Sequence, residues 1–114
     1  MALCTLREKS DCLIVALPVS VDHVEAMTLE KELREYVARQ PKALLCDMSG
    51  TKYVSSSGLR VFLAIGKMAK TSGVHLGIFS LTEFVDHIFS MTGFTQVIAI
   101  YDTEEAAVRA VSKW

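Results

Sequence analysis

The sequence predicts an α/β domain: a mixed, mostly parallel β-sheet covered by about four α-helices in the order ββαβαβαβα. Three observations carry this reading. Short apolar runs alternate with longer stretches of helical period along the chain. The run from Ala43 to Cys46 is apolar at every position, as in a strand buried on both faces. The first two runs are separated only by Lys9-Ser10-Asp11, which fits a hairpin and so one antiparallel edge.

The elements follow in order. Residues 3–8 and 12–18 are the hairpin strands. Residues 23–39 form a helix: Asp22 caps it with Glu25 at capping-box spacing, and Ala26, Leu29, Leu33, Tyr36 and Val37 recur on one face. Gln40-Pro41 ends it. Residues 42–48 are the apolar strand, expected at the centre of the sheet. Residues 57–71 form the second helix, stopped by Ser72-Gly73. A strand covers 74–79. Ser80 and Glu83 repeat the capping-box spacing for a short helix to about Met91, stopped by Thr92-Gly93. Val97 to Tyr101 is the last strand, and Asp102 with Glu105 caps a final helix to about Ser112.

With 114 residues the chain holds one domain, taken as residues 1–114. A chain of this length buries roughly 65% of its unfolded surface, enough for a real core. Hydrophobic residues at 51% and charged residues at 22% argue against disorder. Twelve basic residues oppose thirteen acidic ones, so no basic field points to direct nucleic-acid binding. No apolar segment approaches the ~20 residues needed for membrane insertion, and the N-terminus turns polar too soon for a signal peptide. Cys4, Cys12 and Cys46 are odd in number and unpaired by spacing, which fits a reduced, cytoplasmic protein; Cys46 reads as a small hydrophobe.

The segment from Asp47 to Leu63 is the most informative. An apolar strand runs into a polar loop, the loop ends in Ser55-Ser56-Ser57-Gly58, and a helix pattern starts at once. A hydroxyl there sits where backbone N–H groups lack partners and negative charge is favoured, so the segment is a candidate phosphorylation switch. The following helix has two apolar faces. Leu59, Phe62, Leu63 and Gly66 fall on one; Val61, Ala64, Ile65 and Met68 fall roughly opposite. One face suffices to dock on a sheet. The second packs under a neighbouring helix or is an exposed strip for a partner, which could also serve a homodimer.

The pattern resembles the STAS family, specifically the anti-sigma-factor antagonists. The residues that carry the resemblance are Asp47-Met48-Ser49 at the strand end and Tyr53-Val54-Ser55-Ser56-Ser57-Gly58-Leu59 at the helix start. Phe89-Ser90-Met91-Thr92-Gly93-Phe94 and Asp22 add to it. Two positions depart from the family pattern: Ser55 stands where the family has Asp, and Val19-Ser20-Val21-Asp22 lacks the family's turn glycine.

The resemblance implies that Ser56 is phosphorylated, with Ser55 and Ser57 as second choices. The implied partners are an anti-sigma factor that is also a serine kinase of the histidine-kinase-like ATPase type, and a serine phosphatase. The unphosphorylated form would bind the anti-sigma factor and release a sigma factor. A phosphoserine carries about −1.5 to −2 charges, enough to alter an interface without refolding. Ser57 is expected as the helix cap, and Gly58 as a point of close approach. Asp47 and Ser49 tie the loop to the helix start or make only turn chemistry. Asp22, Asp47, Ser49, Ser57, Gly58, Val61, Ile65 and Met68 form the expected partner surface. The alternative is a constitutive STAS subunit of a membrane transporter, of the lipid-transport ATPase type. A weaker third reading is a small-ligand or nucleotide sensor.

Other chemistry finds little support. His23, His75 and His87 have no ligand spacing, so no metal is expected. There is no nucleophile elbow, Walker motif or dinucleotide fingerprint, so no cofactor and no catalytic residue is assigned and the chain is not read as an enzyme. Trp114 is given no role.

Overall fold

The computed structural model describes residues 4–91 and 98–112. The expected stops at Thr92-Gly93, the residues Phe94 and Val97, and Trp114 lie outside them. β1 (Thr5–Lys9) and β2 (Cys12–Ala16) form the antiparallel hairpin, with Lys9 opposite Cys12. Ser10 and Asp11 both have positive φ, 51° and 66°, the twist that a two-residue hairpin loop needs. β4 (Ala43–Asp47), β6 (His75–Phe79) and β7 (Ala99–Tyr101) complete a sheet of order β1-β2-β4-β6-β7, parallel at every pair beyond the hairpin. The apolar run 43–46 is central, as expected.

Alternation along these strands separates two cores. Leu13, Val15, Leu44, Cys46, Leu76 and Ile78 point to one face, covered by α1 (His23–Ala38), α2 (Ser56–Ser72) and α3 (Glu83–Met91). Cys12, Ile14, Ala43, Leu45 and Phe79 point to the other, closed by Ala107 and Val111 of α4 (Glu104–Ser112). At the β1 edge, Glu104 accepts hydrogen bonds from Arg7, the shorter at 2.6 Å. Cys4, Cys12 and Cys46 are free and buried; burial pushes the Cys4 thiol up to about 12 and that of Cys46 higher still.

α1 begins where the sequence places it. Asp22 is extended, and its Oδ1 accepts from Val24 N at 2.9 Å and Glu25 N at 3.4 Å. Ala26, Leu29, Leu33, Tyr36 and Val37 are its buried stripe. Gln40 turns the chain out with φ 53°. α2 ends at Gly73, left-handed at φ 74°, with Val74 N donating to Ala69 O at 2.9 Å.

Two of the expected caps move. α3 is capped by Thr82, not Ser80: Val85 N donates to Thr82 Oγ1 at 3.4 Å, and Asp86 N to Thr82 O at 2.9 Å. Ser80 sits at φ 58°, turning the chain off β6, and Leu81 then packs on the core before the helix can begin. α4 is capped by Thr103, not Asp102, with Ala106 N donating to Thr103 Oγ1 at 3.1 Å.

The two apolar faces of α2 have the plainer of their two explanations. Val61 and Ile65, expected on an exposed strip for a partner, are buried in the core that α2 shares with α1. Phe62 packs edge-on against Phe89 of α3, ring centroids 5.7 Å apart, a geometry that adds about 0.5–1.5 kcal/mol to the burial itself. α2 is therefore held by the sheet beneath it, by α1 and by α3. Met68 is half-buried, its Sδ 3.8 Å from Arg34 Nη1.

Candidate functional site

Two strands too short to show in the sequence pattern position the site. β3 (Ser20–Val21) pairs in parallel with β5 (Tyr53–Val54), Ser20 beside Tyr53 and Val21 beside Val54. Lys52 N donates to Val19 O at 2.7 Å and Ser55 N to Val21 O at 2.8 Å, extending the ladder by one bond at each end. The residue after β3 is Asp22, the cap of α1; the residue after β5 is Ser55. The ladder thus starts two helices side by side.

Ser55, not Ser57, is the cap of α2. Its backbone is still extended (φ −80°, ψ 173°), and its Oγ accepts from Gly58 N at 3.2 Å. Pairing with β3 holds the chain extended through Val54 and ends there, so the cap falls on Ser55, two residues before the expected one, and the helix opens at Ser56, one residue before the expected 57. Gly58 permits this approach: a Cβ there would lie 2.8 Å from Val21 Cγ1, 2.9 Å from Val21 O and 2.9 Å from Val54 Cγ1.

The three serines differ in what they bond. Ser55 Oγ is used by the cap. Ser57 Oγ lies 3.2 Å from His23 Nδ1, a bond from the first turn of α2 to the first turn of α1. Ser56 is exposed and its hydroxyl makes no hydrogen bond among the described residues. No carboxylate occupies the first turn of α2. The geometry leaves one hydroxyl free at the start of a 17-residue helix, where the N-terminal field stabilises negative charge.

The loop before it is pinned. Asp47 Oδ1 accepts from Ser49 N at 2.9 Å, closing a turn within the loop and not reaching the helix start. Thr51, fully buried, donates its hydroxyl to Pro18 O at 2.8 Å. Around this end Val19, Tyr53, Val24 and Met27 expose their side chains, the last two at 77% and 75%. A groove of about 200 Å³ runs between α1 and α2, lined by His23, Met27, Glu30, Ser57, Arg60 and Val61. Asp22 is held below the usual carboxylate range by its hydrogen bond with the Glu25 carboxyl and by backbone N–H donors; the same bond raises Glu25.

The His23–Ser57 pair has the spacing of a base and a nucleophile. The other ring nitrogen meets no orienting carboxylate among the described residues, and no cluster of His, Cys, Asp and Glu among them could hold a metal ion.

The family model described as STAS domain matches residues 4–107. The chain belongs to the STAS domain family. A Bordetella bronchiseptica protein that bears the name of an anti-sigma factor antagonist, BtrV, is 29% identical over 106 residues, 93% of this chain and 91% of its own length. The crystal structure of an anti-sigma factor antagonist from Mycobacterium paratuberculosis shares the fold at a TM-score of 0.85, with 24% identity over 96% of this chain and 92% of that one. The Bacillus cell fate determinant SpoIIAA, in its phosphorylated form, shares it at 0.68, with 14% identity over 95% of this chain and 98% of that one.

On the STAS frame, the expected site residues divide in three. Asp22, Ser55, Ser56, Ser57 and Gly58 come together where α1 and α2 start. Asp47 and Ser49 occupy the loop that leads to this point, and Met68 lies three turns along α2. Val61 and Ile65 are interior. Sequence reasoning missed His23 as a member of the site; a His directly after the α1 cap was the available signal, but nothing local ties it to Ser57, 34 residues away. No described helix is long and apolar enough to cross a membrane.

Proposed function

We propose that this STAS-family chain is an anti-sigma-factor antagonist controlled by phosphorylation of Ser56. One observation carries the reading: of three consecutive serines at the start of α2, two have their hydroxyls engaged and Ser56 alone is exposed and unbonded among the described residues. The names of its relatives support the role. The unphosphorylated chain binds an anti-sigma factor that is also a serine kinase of the histidine-kinase-like ATPase type. The kinase moves the γ-phosphoryl of ATP to Ser56 Oγ; the hydroxyl proton leaves and ADP departs. A serine phosphatase reverses the step by hydrolysis.

The contact surface is the end of the domain where α1 and α2 begin. Asp22, Ser57 and Gly58 frame it, with Asp47, Ser49 and Met68 at its margins. The exposed Val24, Met27 and Tyr53 supply the apolar area that the buried Val61 and Ile65 cannot. A dianion beside these side chains costs the partner desolvation and repulsion while the fold keeps its own helix contacts.

The test is incubation with the cognate kinase and ATP, then mapping by mass spectrometry. Phosphate on Ser56 is expected; none on residues 55–57 would sink the reading. Ser56→Asp should lose kinase binding and Ser56→Ala should bind constitutively. Co-purification with a transporter ATPase instead of a soluble kinase would replace this reading with that of a constitutive transporter subunit.

A further inference from the structure

We infer that Arg60 is a positioning residue for the phosphate on Ser56, folding it along α2 and across the mouth of the α1–α2 groove. The inference rests on the Ser56 reading above and says how the modification is stored. Ser56 and Arg60 stand at i and i+4 on one helix, the spacing at which side chains meet. Arg60 is exposed, and its guanidinium has no hydrogen bond or ion pair among the described residues, so it enters a new pair without breaking an old one. It lines the groove with His23, Met27 and Ser57.

Three other groups around the groove already have partners. Glu30, on the opposite wall, receives Arg34 Nε at 3.0 Å. Asp22 Oδ1 accepts from the first turn of α1. His23 Nδ1 is bonded to Ser57. Among the residues that line the groove, Arg60 is the permanently charged cation, one turn from the dianion, and guanidinium binds phosphate oxygens bidentately. The ion pair then lays two charged groups over the apolar wall that Met27 presents. Blocking by phosphate becomes a matter of covering the groove as well as of repulsion.

The experiment needs no kinase. Phosphoserine is installed at position 56 during translation, and the second ionisation of the phosphate is followed by phosphorus NMR, folded and in urea. The ordinary value for phosphoserine is about 6. The folded protein should titrate below its urea-unfolded form, and Arg60→Gln should recover roughly 0.3 pH unit of that difference, about a twofold change in the ionisation constant. Arg60→Gln titrating at the same pH as the folded wild type would overturn the inference, because the helix start alone would then account for the shift. A second readout avoids any variant: the Arg60 Nε–H resonance should move downfield on phosphorylation, and an unmoved resonance would also overturn it. Failure of the kinase to modify Ser56 would strike the functional reading and leave this measurement intact.

Discussion

His23 Nδ1 lies 3.2 Å from Ser57 Oγ and joins the first turn of α1 to the first turn of α2. The bond takes one of three adjacent hydroxyls out of competition. It also ties together two helix starts that the β3–β5 ladder has brought side by side.

Replacing His23 by Ala should release the Ser57 hydroxyl. Phosphate mapping after kinase treatment is then expected to show Ser57 beside Ser56, where the unaltered protein shows Ser56 alone. Stability should fall by about 0.5–1 kcal/mol, the net worth of one exposed hydrogen bond, measured by urea unfolding. An unchanged site distribution would mean that the kinase, and not the bond, selects the serine.

Gly58→Ala should destabilise by about 1–3 kcal/mol, because the added methyl meets Val21 and Val54 at 2.8–2.9 Å and one of the contacts is backbone. Gly50→Ala is the matched control. A Cβ there meets nothing within 4 Å, and the urea midpoint should stay within about 0.5 kcal/mol of the parent.

Ser55→Ala should cost about 1 kcal/mol through loss of the cap on Gly58 N, whereas Ser55→Asp should hold or gain stability. Thermal unfolding of the two variants separates them. Equal melting temperatures would contradict the cap.

Stability should fall on acidification through the histidine range. His75 is half-buried, its Nε2 2.8 Å from Tyr101 Oη, and burial lowers its pKa below the ordinary 6.5. The folded state therefore binds fewer protons at this site than the unfolded state. The contribution is present above the unfolded value and is lost progressively as pH falls from there through the lower folded value. Urea midpoints between pH 7.5 and 5.5 should show a slope that His75→Gln diminishes; an undiminished slope would assign it elsewhere.

Much of the fold was legible because it is written in period. The all-apolar run 43–46, the stripe from Ala26 to Val37 and the Gly73 stop are local signals, and each element lies within a residue or two of its expected place. β3 and β5 were not legible, since two residues per strand are too few to alternate. The caps at Ser80 and Asp102 failed for a related reason. Spacing finds a candidate cap, but the geometry by which the chain leaves β6 and β7 decides where a helix can begin, and Thr82 and Thr103 take the role. The helical wheel found the second apolar face of α2; only the packing of α1 shows that Val61 and Ile65 fill it. For the site, the free hydroxyl at Ser56 was expected and His23 was not, because their meeting is tertiary.

The three thiols give the chain a built-in gauge of its own opening. Cys4, Cys12 and Cys46 all lie inside, with their protons held more tightly than in water. An alkylating reagent attacks the thiolate and so must wait for the strands to part. Capture rates then report how often each part of the sheet breathes, with Cys46 at its centre the slowest.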